Sequence, residues 1–160
     1  MCIRDRPGSG ADEWFNPFAG SERIIATPHI GASTQEAQPR IASHIAGTTK
    51  LLNDTGTVRD CVFSPGVRIG VSTGRPSHVL AVIHSDARGT KKAVSDCIFD
   101  AGASNLESSH RDFPKYGFAY DLSGIDRGMG DDELMRFVEE ARRLSGDSSA
   151  IRSVRLIVLP

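Results

Sequence analysis

The order of hydrophobic periods in residues 77–160 constrains the fold of this chain more than any other feature. Val79 to His84 is a short apolar run of strand length. Lys91 to Ala101 sets Val94, Cys97, Ile98 and Ala101 on one helical face, and Gly102 supplies a stop. Asn105 to Asp112 reads as a polar strand, with Pro114-Lys115 as a turn. Tyr116, Phe118, Tyr120 and Leu122 then alternate, which predicts a strand with one buried face. Asp132 to Leu144 carries Leu134, Phe137, Val138 and Ala141 at helical spacing, and Asp131 or Asp132 can cap that helix. Val154, Leu156 and Val158 alternate in a final strand. The resulting order is βαββαβ, an α+β ferredoxin-like arrangement with an antiparallel sheet and both helices on one face. Its sheet has open edges, and side-by-side dimerisation would remove two of them.

Upstream the pattern changes. Arg23 to Thr27 reads as a short strand that Pro28 ends, because the residue before a proline is pushed to extended geometry. His29 to Ala32 is a glycine-containing turn. Ser33 and Glu36 then form a capping box, the signature of a helix start. The helix carries Ala37, Ile41, Ile45 and Leu52, with Gly56 as its C-terminal cap. Pro39 either kinks this helix or begins it. Cys61 to Phe63 reads as another short strand, and Gly66 to Pro76 as a linker rich in Gly, Ser, Thr, Arg and Pro. The opening Met1 to Arg6 looks like translated adapter sequence and is set aside from fold reasoning.

Composition excludes several function classes. A formal net charge of −1 gives no electrostatic footprint for coating nucleic acid. The longest apolar run, Val79 to Ile83, is far below the ~20 residues of a membrane helix. The 3 cysteines form no Cys-x-x-Cys, so a disulfide framework is not expected and a cytoplasmic, reducing location is. At 160 residues the chain cannot hold two doubly wound units, each built from several βαβ units. His44 lies on the expected helix, His78 and His110 are isolated, and no metal-ligand spacing links them, so no metal site is expected. Arg136, Arg142 and Arg143 read as a solvated helix face, and Cys97 as a small buried thiol.

His29 follows a strand end and precedes a helix start, where chemistry collects in open α/β folds. An imidazole there can exchange a proton with a carbonyl or hydroxyl near neutral pH. The segment Thr27-Pro28-His29-Ile30-Gly31-Ala32-Ser33-Thr34-Gln35-Glu36-Ala37-Gln38 resembles the C-terminal signature of the phosphoglycerate dehydrogenase branch of the D-isomer-specific 2-hydroxyacid dehydrogenases. Asn16-Pro17-Phe18 and Cys61-Val62-Phe63-Ser64-Pro65 sit where that family has similar pieces. The resemblance implies an α/β tail of a Rossmann-type dehydrogenase over residues 7–66. It gives His29 the acid/base role on the substrate 2-hydroxyl, and lays His29, Ile30, Gly31 and Ala32 along the nicotinamide end of NAD. The small Gly31 and Ala32 suit a backbone approaching a flat ring. The chain departs from the family in three respects. The partner glutamate of the family's Glu-Pro dipeptide falls on Arg6, before Pro7, and neither Gly8-Ser9-Gly10 nor Gly128-Met129-Gly130 completes a Gly-x-Gly-x-x-Gly loop. The family's catalytic arginine is also absent. The chain by itself is therefore expected to be inactive.

Residues 77–160 resemble an ACT domain, the small-molecule-binding module of many phosphoglycerate dehydrogenases, with residues 67–76 as the linker before it. The family's His-x-Asn-x-Pro-Gly effector turn corresponds to His84-Ser85-Asp86-Ala87-Arg88-Gly89, in which Asp86 replaces the amide and Arg88 the proline. A further effector asparagine falls near Ser104, with Asn105 displaced by one residue. The resemblance thus implies 3-phosphoglycerate as the parent's substrate, L-serine as a possible effector bound by His84, Asp86, Ser104 and Asn105, and a homo-oligomer joined through the module. The alternatives are an amino-acid-binding and dimerising module, a dimerisation tail without ligand, or a piece of another D-2-hydroxyacid dehydrogenase.

Overall fold

The computed structural model describes residues 20–23, 34–61, 66–69 and 76–159. The strand expected around Ile24 and Ile25, the turn His29 to Ala32, and Ser33 lie outside them, as do Val62 and Phe63. The chain divides into two compact units, Met1–Ala42 and Ser43–Pro160. The division therefore falls upstream of residues 67–76.

Helix α1, Ala37–Thr55, forms as the spacing predicts. Its first turn is capped by Thr34, whose Oγ1 accepts from the Ala37 N–H at 3.0 Å. Pro39 is the third helical residue. Its missing N–H is one of the first-turn donors that have no intrahelical acceptor, so the helix neither kinks nor restarts there. Gly56 ends α1 with φ +71°, as the C-terminal cap expected. The expected apolar stripe is not covered, however: Ile41, Ile45 and Leu52 are exposed, and the buried residue of α1 is Thr55.

Downstream the elements are β1 (His78–His84), α2 (Thr90–Asp100), β2 (Asn105–Phe113), a 3₁₀ turn (Pro114–Tyr116), β3 (Phe118–Ile125), α3 (Asp131–Ser145) and β4 (Ile151–Val158). The strands make one antiparallel sheet in the order β2-β3-β1-β4. Gly102, φ +71°, follows α2 as its stop. The N-cap of α3 is Gly130 rather than Asp131 or Asp132, which fall in the first turn. Glu133 reaches back to accept from the Gly130 N–H at 3.0 Å and is held by Arg127.

One sheet face packs on the two helices. Leu80, Val82 and Ile125 meet Val94, Cys97 and Ile98 of α2 and Phe137 and Ala141 of α3, with Ile151 from β4. Leu80, Ile98, Ile125 and Ile151 are each under 2% exposed, and each such side chain contributes roughly 1.5–3 kcal/mol of burial. Arg142 is not part of a solvated face: its Nη2 donates to the Ile151 carbonyl at 2.8 Å.

The opposite face is also covered, and it carries Tyr120 and Leu122 of the alternating set, so the side of β3 that the alternation leaves unaccounted for is the one under the helices. Val67 and Ile69 pack there against Val79, Ala81, Leu122 and Ile157. Val58 and Val67 are joined by a two-way backbone bridge, at 2.8 and 2.9 Å. Tyr120 Oη donates to the Gly56 carbonyl at 2.8 Å, and Arg155 Nη2 to the Asn53 carbonyl at 2.8 Å. The central strand β3 is therefore buried on both faces from Asp121 to Ile125.

Candidate functional site

The double burial of β3 brings polar side chains into the interior. In the sheet register Val82 and His110 both stand opposite Asp121, and His84 stands opposite Ala119 two residues earlier. Residues directly opposite share a face, so His84, His110 and Asp121 all lie on the side that carries Leu80 and Val82. The side chains of His110 and Asp121 are 17% and 4% exposed, and His84 is 1% exposed. The two imidazole rings stack with centroids 5.4 Å apart.

Each ring is oriented by a partner outside the cluster. His84 Nδ1 lies 2.7 Å from the Ser85 carbonyl, an acceptor, so this nitrogen carries the proton. His110 Nε2 lies 2.8 Å from Asp112 Oδ1, and the other nitrogen, Nδ1, lies 3.2 Å from Asp121 Oδ2. His84 Nε2 and Asp121 Oδ1 are buried and have no hydrogen-bond partner among the described residues. Burial pulls the His84 imidazole below its ordinary value, against the opposing pull of the Ser85 carbonyl and the Asp121 carboxylate, so its neutral form is favoured at neutral pH.

In the sequence His110 stands isolated and Asp121 carries no signal of its own. The i, i+2 spacing of His110 and Asp112 on one strand face was the available signal. Finding Asp121 needed the β2-β3-β1 order, which composition and periodicity do not contain.

The effector residues expected from sequence are spread along the sheet. His84 closes β1, and Asp86 is exposed in the turn after it. Asn105 pairs with Ile125, which also pairs with His78 at the other end of β1. At about 3.3 Å per residue the two sets lie ~20 Å apart within one chain. Ser104 is exposed and its N–H donates to Asp126 Oδ1 at 2.8 Å; Asn105 Nδ2 donates to Ser123 Oγ at 3.3 Å. His29, Ile30, Gly31 and Ala32 lie outside the described residues. No described helix is long and apolar enough to cross a membrane.

No family model matches the chain. Curated relatives do. D-3-phosphoglycerate dehydrogenase of Escherichia coli (strain K12) is 31% identical over 96 residues, covering 60% of this chain and 23% of that protein. The Haemophilus influenzae protein of that name is 29% identical over 112 residues, covering 70% of this chain and 27% of the relative. D-3-phosphoglycerate dehydrogenase 2 of Saccharomyces cerevisiae is 30% identical over 157 residues, covering 94% of this chain and 31% of the relative. The match to the yeast protein therefore takes in both compact units. The chain is a relative of the D-3-phosphoglycerate dehydrogenases, matching between 23% and 31% of the length of these proteins.

Proposed function

We propose that the chain is the C-terminal part of an NAD-dependent D-3-phosphoglycerate dehydrogenase, with residues 7–66 from the tail of the catalytic unit and residues 77–160 as an ACT-type regulatory module. The observation that carries this reading is the identity of 30% to the yeast enzyme over 94% of the chain. The antiparallel sheet with α2 and α3 on one face supports the ferredoxin-like ACT architecture for the second part. The parent would oxidise 3-phosphoglycerate to 3-phosphohydroxypyruvate in the cytoplasm, on the route to L-serine. NAD would supply the hydride acceptor, and His29 would take the proton of the 2-hydroxyl. Residues 29–32 lie outside the described residues and the sequence has no Gly-x-Gly-x-x-Gly loop, so the described geometry adds no further step.

For the module we propose amino-acid binding and self-association. The ~20 Å between the His84–Asp86 end and the Ser104–Asn105 end makes one prediction of that reading specific. The two ends cannot surround one small amino acid within a single chain. They can do so only if a second copy presents its Ser104–Asn105 end to His84 and Asp86 of the first. L-serine should therefore bind only the oligomer.

The purified 160-residue chain should form no NADH from 3-phosphoglycerate, while the chain extended by its upstream coding sequence should. The extended form should lose that activity on His29→Gln. Turnover by the 160-residue chain would refute the dependence on the upstream part, and an active H29Q extended enzyme would refute the role of His29. Sedimentation of the chain with and without L-serine tests the module. Serine bound to a monomer, or no serine bound at all, would remove the effector reading.

A further inference from the structure

The buried cluster on β1, β2 and β3 has an accounting problem. A neutral imidazole carries one N–H. His84 uses its proton on the Ser85 carbonyl, so Nε2 presents a lone pair in the interior. If His110 donates from Nε2 to Asp112, its Nδ1 presents a lone pair toward Asp121 Oδ2 at 3.2 Å. Asp121 Oδ1 adds another acceptor, nine-tenths buried or more, with no donor among the described residues. One ligand atom from each of the three residues falls within 4.8 Å of the others. Converging lone pairs around a carboxylate repel one another unless something positive stands between them, and an unpaired polar atom in the interior is costly.

We propose that His84, His110 and Asp121 form a binding site for one divalent first-row transition-metal ion of the zinc class. The donor set is two imidazole nitrogens and one carboxylate, which suits zinc, cobalt or iron and not calcium or magnesium, whose shells are built from oxygen. The outer partners fit the same reading. Asp112 on His110 Nε2 and the Ser85 carbonyl on His84 Nδ1 are the carboxylate and backbone acceptors that fix ring orientation in metal sites. Metal–nitrogen bonds of about 2.0 Å place tetrahedral ligand atoms about 3.3 Å apart. The three ligand atoms lie within 4.8 Å of one another, so the widest pair has to approach by about 1.5 Å to reach that spacing. His110, the one member with appreciable exposure, gives the ion its way in.

The test uses the full 160-residue chain freed of metal by chelation and titrated with Zn²⁺, Co²⁺ or Mg²⁺ alone. The site predicts one Zn²⁺ or Co²⁺ per chain by calorimetry, a visible d–d spectrum with Co²⁺, a raised unfolding midpoint, and no response to Mg²⁺. His110→Gln should abolish binding. Asp112→Asn, at an exposed side chain, should weaken it by about 10–100-fold while leaving the far-ultraviolet dichroism unchanged. Absence of one-to-one binding in the unmodified chain overturns the proposal. So does binding of equal strength in the H110Q and D112N variants, which would place the ion elsewhere, for instance on the exposed His44 and Asp60 pair. If H110Q fails to fold, D112N decides the matter by itself.

Discussion

Gly56 is where the connection from α1 presses on the sheet, and Gly56→Ala probes that contact directly. An ideal β-carbon there would stand 2.8 Å from Leu122 Cδ2, 3.2 Å from Tyr120 Oη and 3.4 Å from Ile157 Cδ1. The residue also has φ +71°, where a side chain costs about 1–2 kcal/mol. Overpacking against Leu122 and Ile157 adds about 1–3 kcal/mol, so the substitution should cost about 2–5 kcal/mol in total. Gly146 separates the two contributions: it has the same φ of +71° with nothing within 4 Å of its would-be β-carbon. Gly146→Ala should therefore show only the backbone part. Urea unfolding of the two variants gives the difference. Hydrogen exchange at the Val58 and Val67 amides, which bond each other's carbonyls, shows whether the connection lifts off before the sheet unfolds. Early exchange at these two amides in G56A, with β1 still protected, is the expected result. Equal costs for G56A and G146A would mean that nothing packs at Gly56, and the covered second face of the sheet would have to be abandoned.

Three further outcomes are expected. Leu80→Ala empties a fully buried position between the sheet and the two helices and should cost about 2–5 kcal/mol in the same urea assay; a loss under 1 kcal/mol (about half the lower bound) would contradict the packing of that face. Burial pushes the Cys97 thiol up to about 11, whereas Cys61 is exposed, so peptide-resolved alkylation at pH 8 should modify Cys61 and spare Cys97 until urea unfolds the chain. The Arg127 guanidinium, and then the Gly130 N–H, hold the Glu133 carboxyl below its ordinary value of 4.5. A depressed carboxylate stabilises the fold above the unfolded value and loses that contribution as pH falls through the folded one. Glu133→Gln should therefore flatten the acid side of the stability profile below pH 4.5 and leave its alkaline side unchanged; an unchanged acid side would show the Arg127 contact to be inconsequential.

The sequence made α2, β3, α3 and β4 legible through their periods, β1 through its apolar run, and the ends of α1 and α2 through Gly56 and Gly102. Two things were not legible, for one physical reason. Alternation along Tyr120 and Leu122 reports a strand with one dry face. That face is the one Val67 and Ile69 cover, from a stretch whose Gly, Ser and Pro content reads as a linker. The second dry face of β3, with Ala119, Asp121 and Ser123, is the one under α2 and α3. Composition describes what a segment prefers locally and not which surface it meets. The same gap hid Asp121, which a one-sided strand would have turned toward water. The exposed stripe of α1 is the converse case, a helix whose period is right while its apolar side chains stay uncovered.

His84 is where the expected and the observed sites meet, and its burial decides how it can serve either. At 1% exposure the ring cannot be the surface that first receives an amino acid. It can act on the turn from below, because its Nδ1 holds the Ser85 carbonyl and Ser85 Oγ in turn accepts from the Ala87 N–H. The other side of the same ring faces Asp121 and His110. An ion at Nε2 would fix the ring, and through Nδ1 would fix the root of the turn that carries Asp86. Replacing His84 by Gln would remove both functions together and so could not separate them. Asp112→Asn leaves His84 and the turn untouched and alters only the support behind His110. If the metal site and the turn are linked through the imidazole, that variant should loosen the Ser85–Gly89 turn in hydrogen exchange with metal present at a concentration that saturates only the unmodified site. If the turn is as protected as in the unmodified chain, the ring does not transmit.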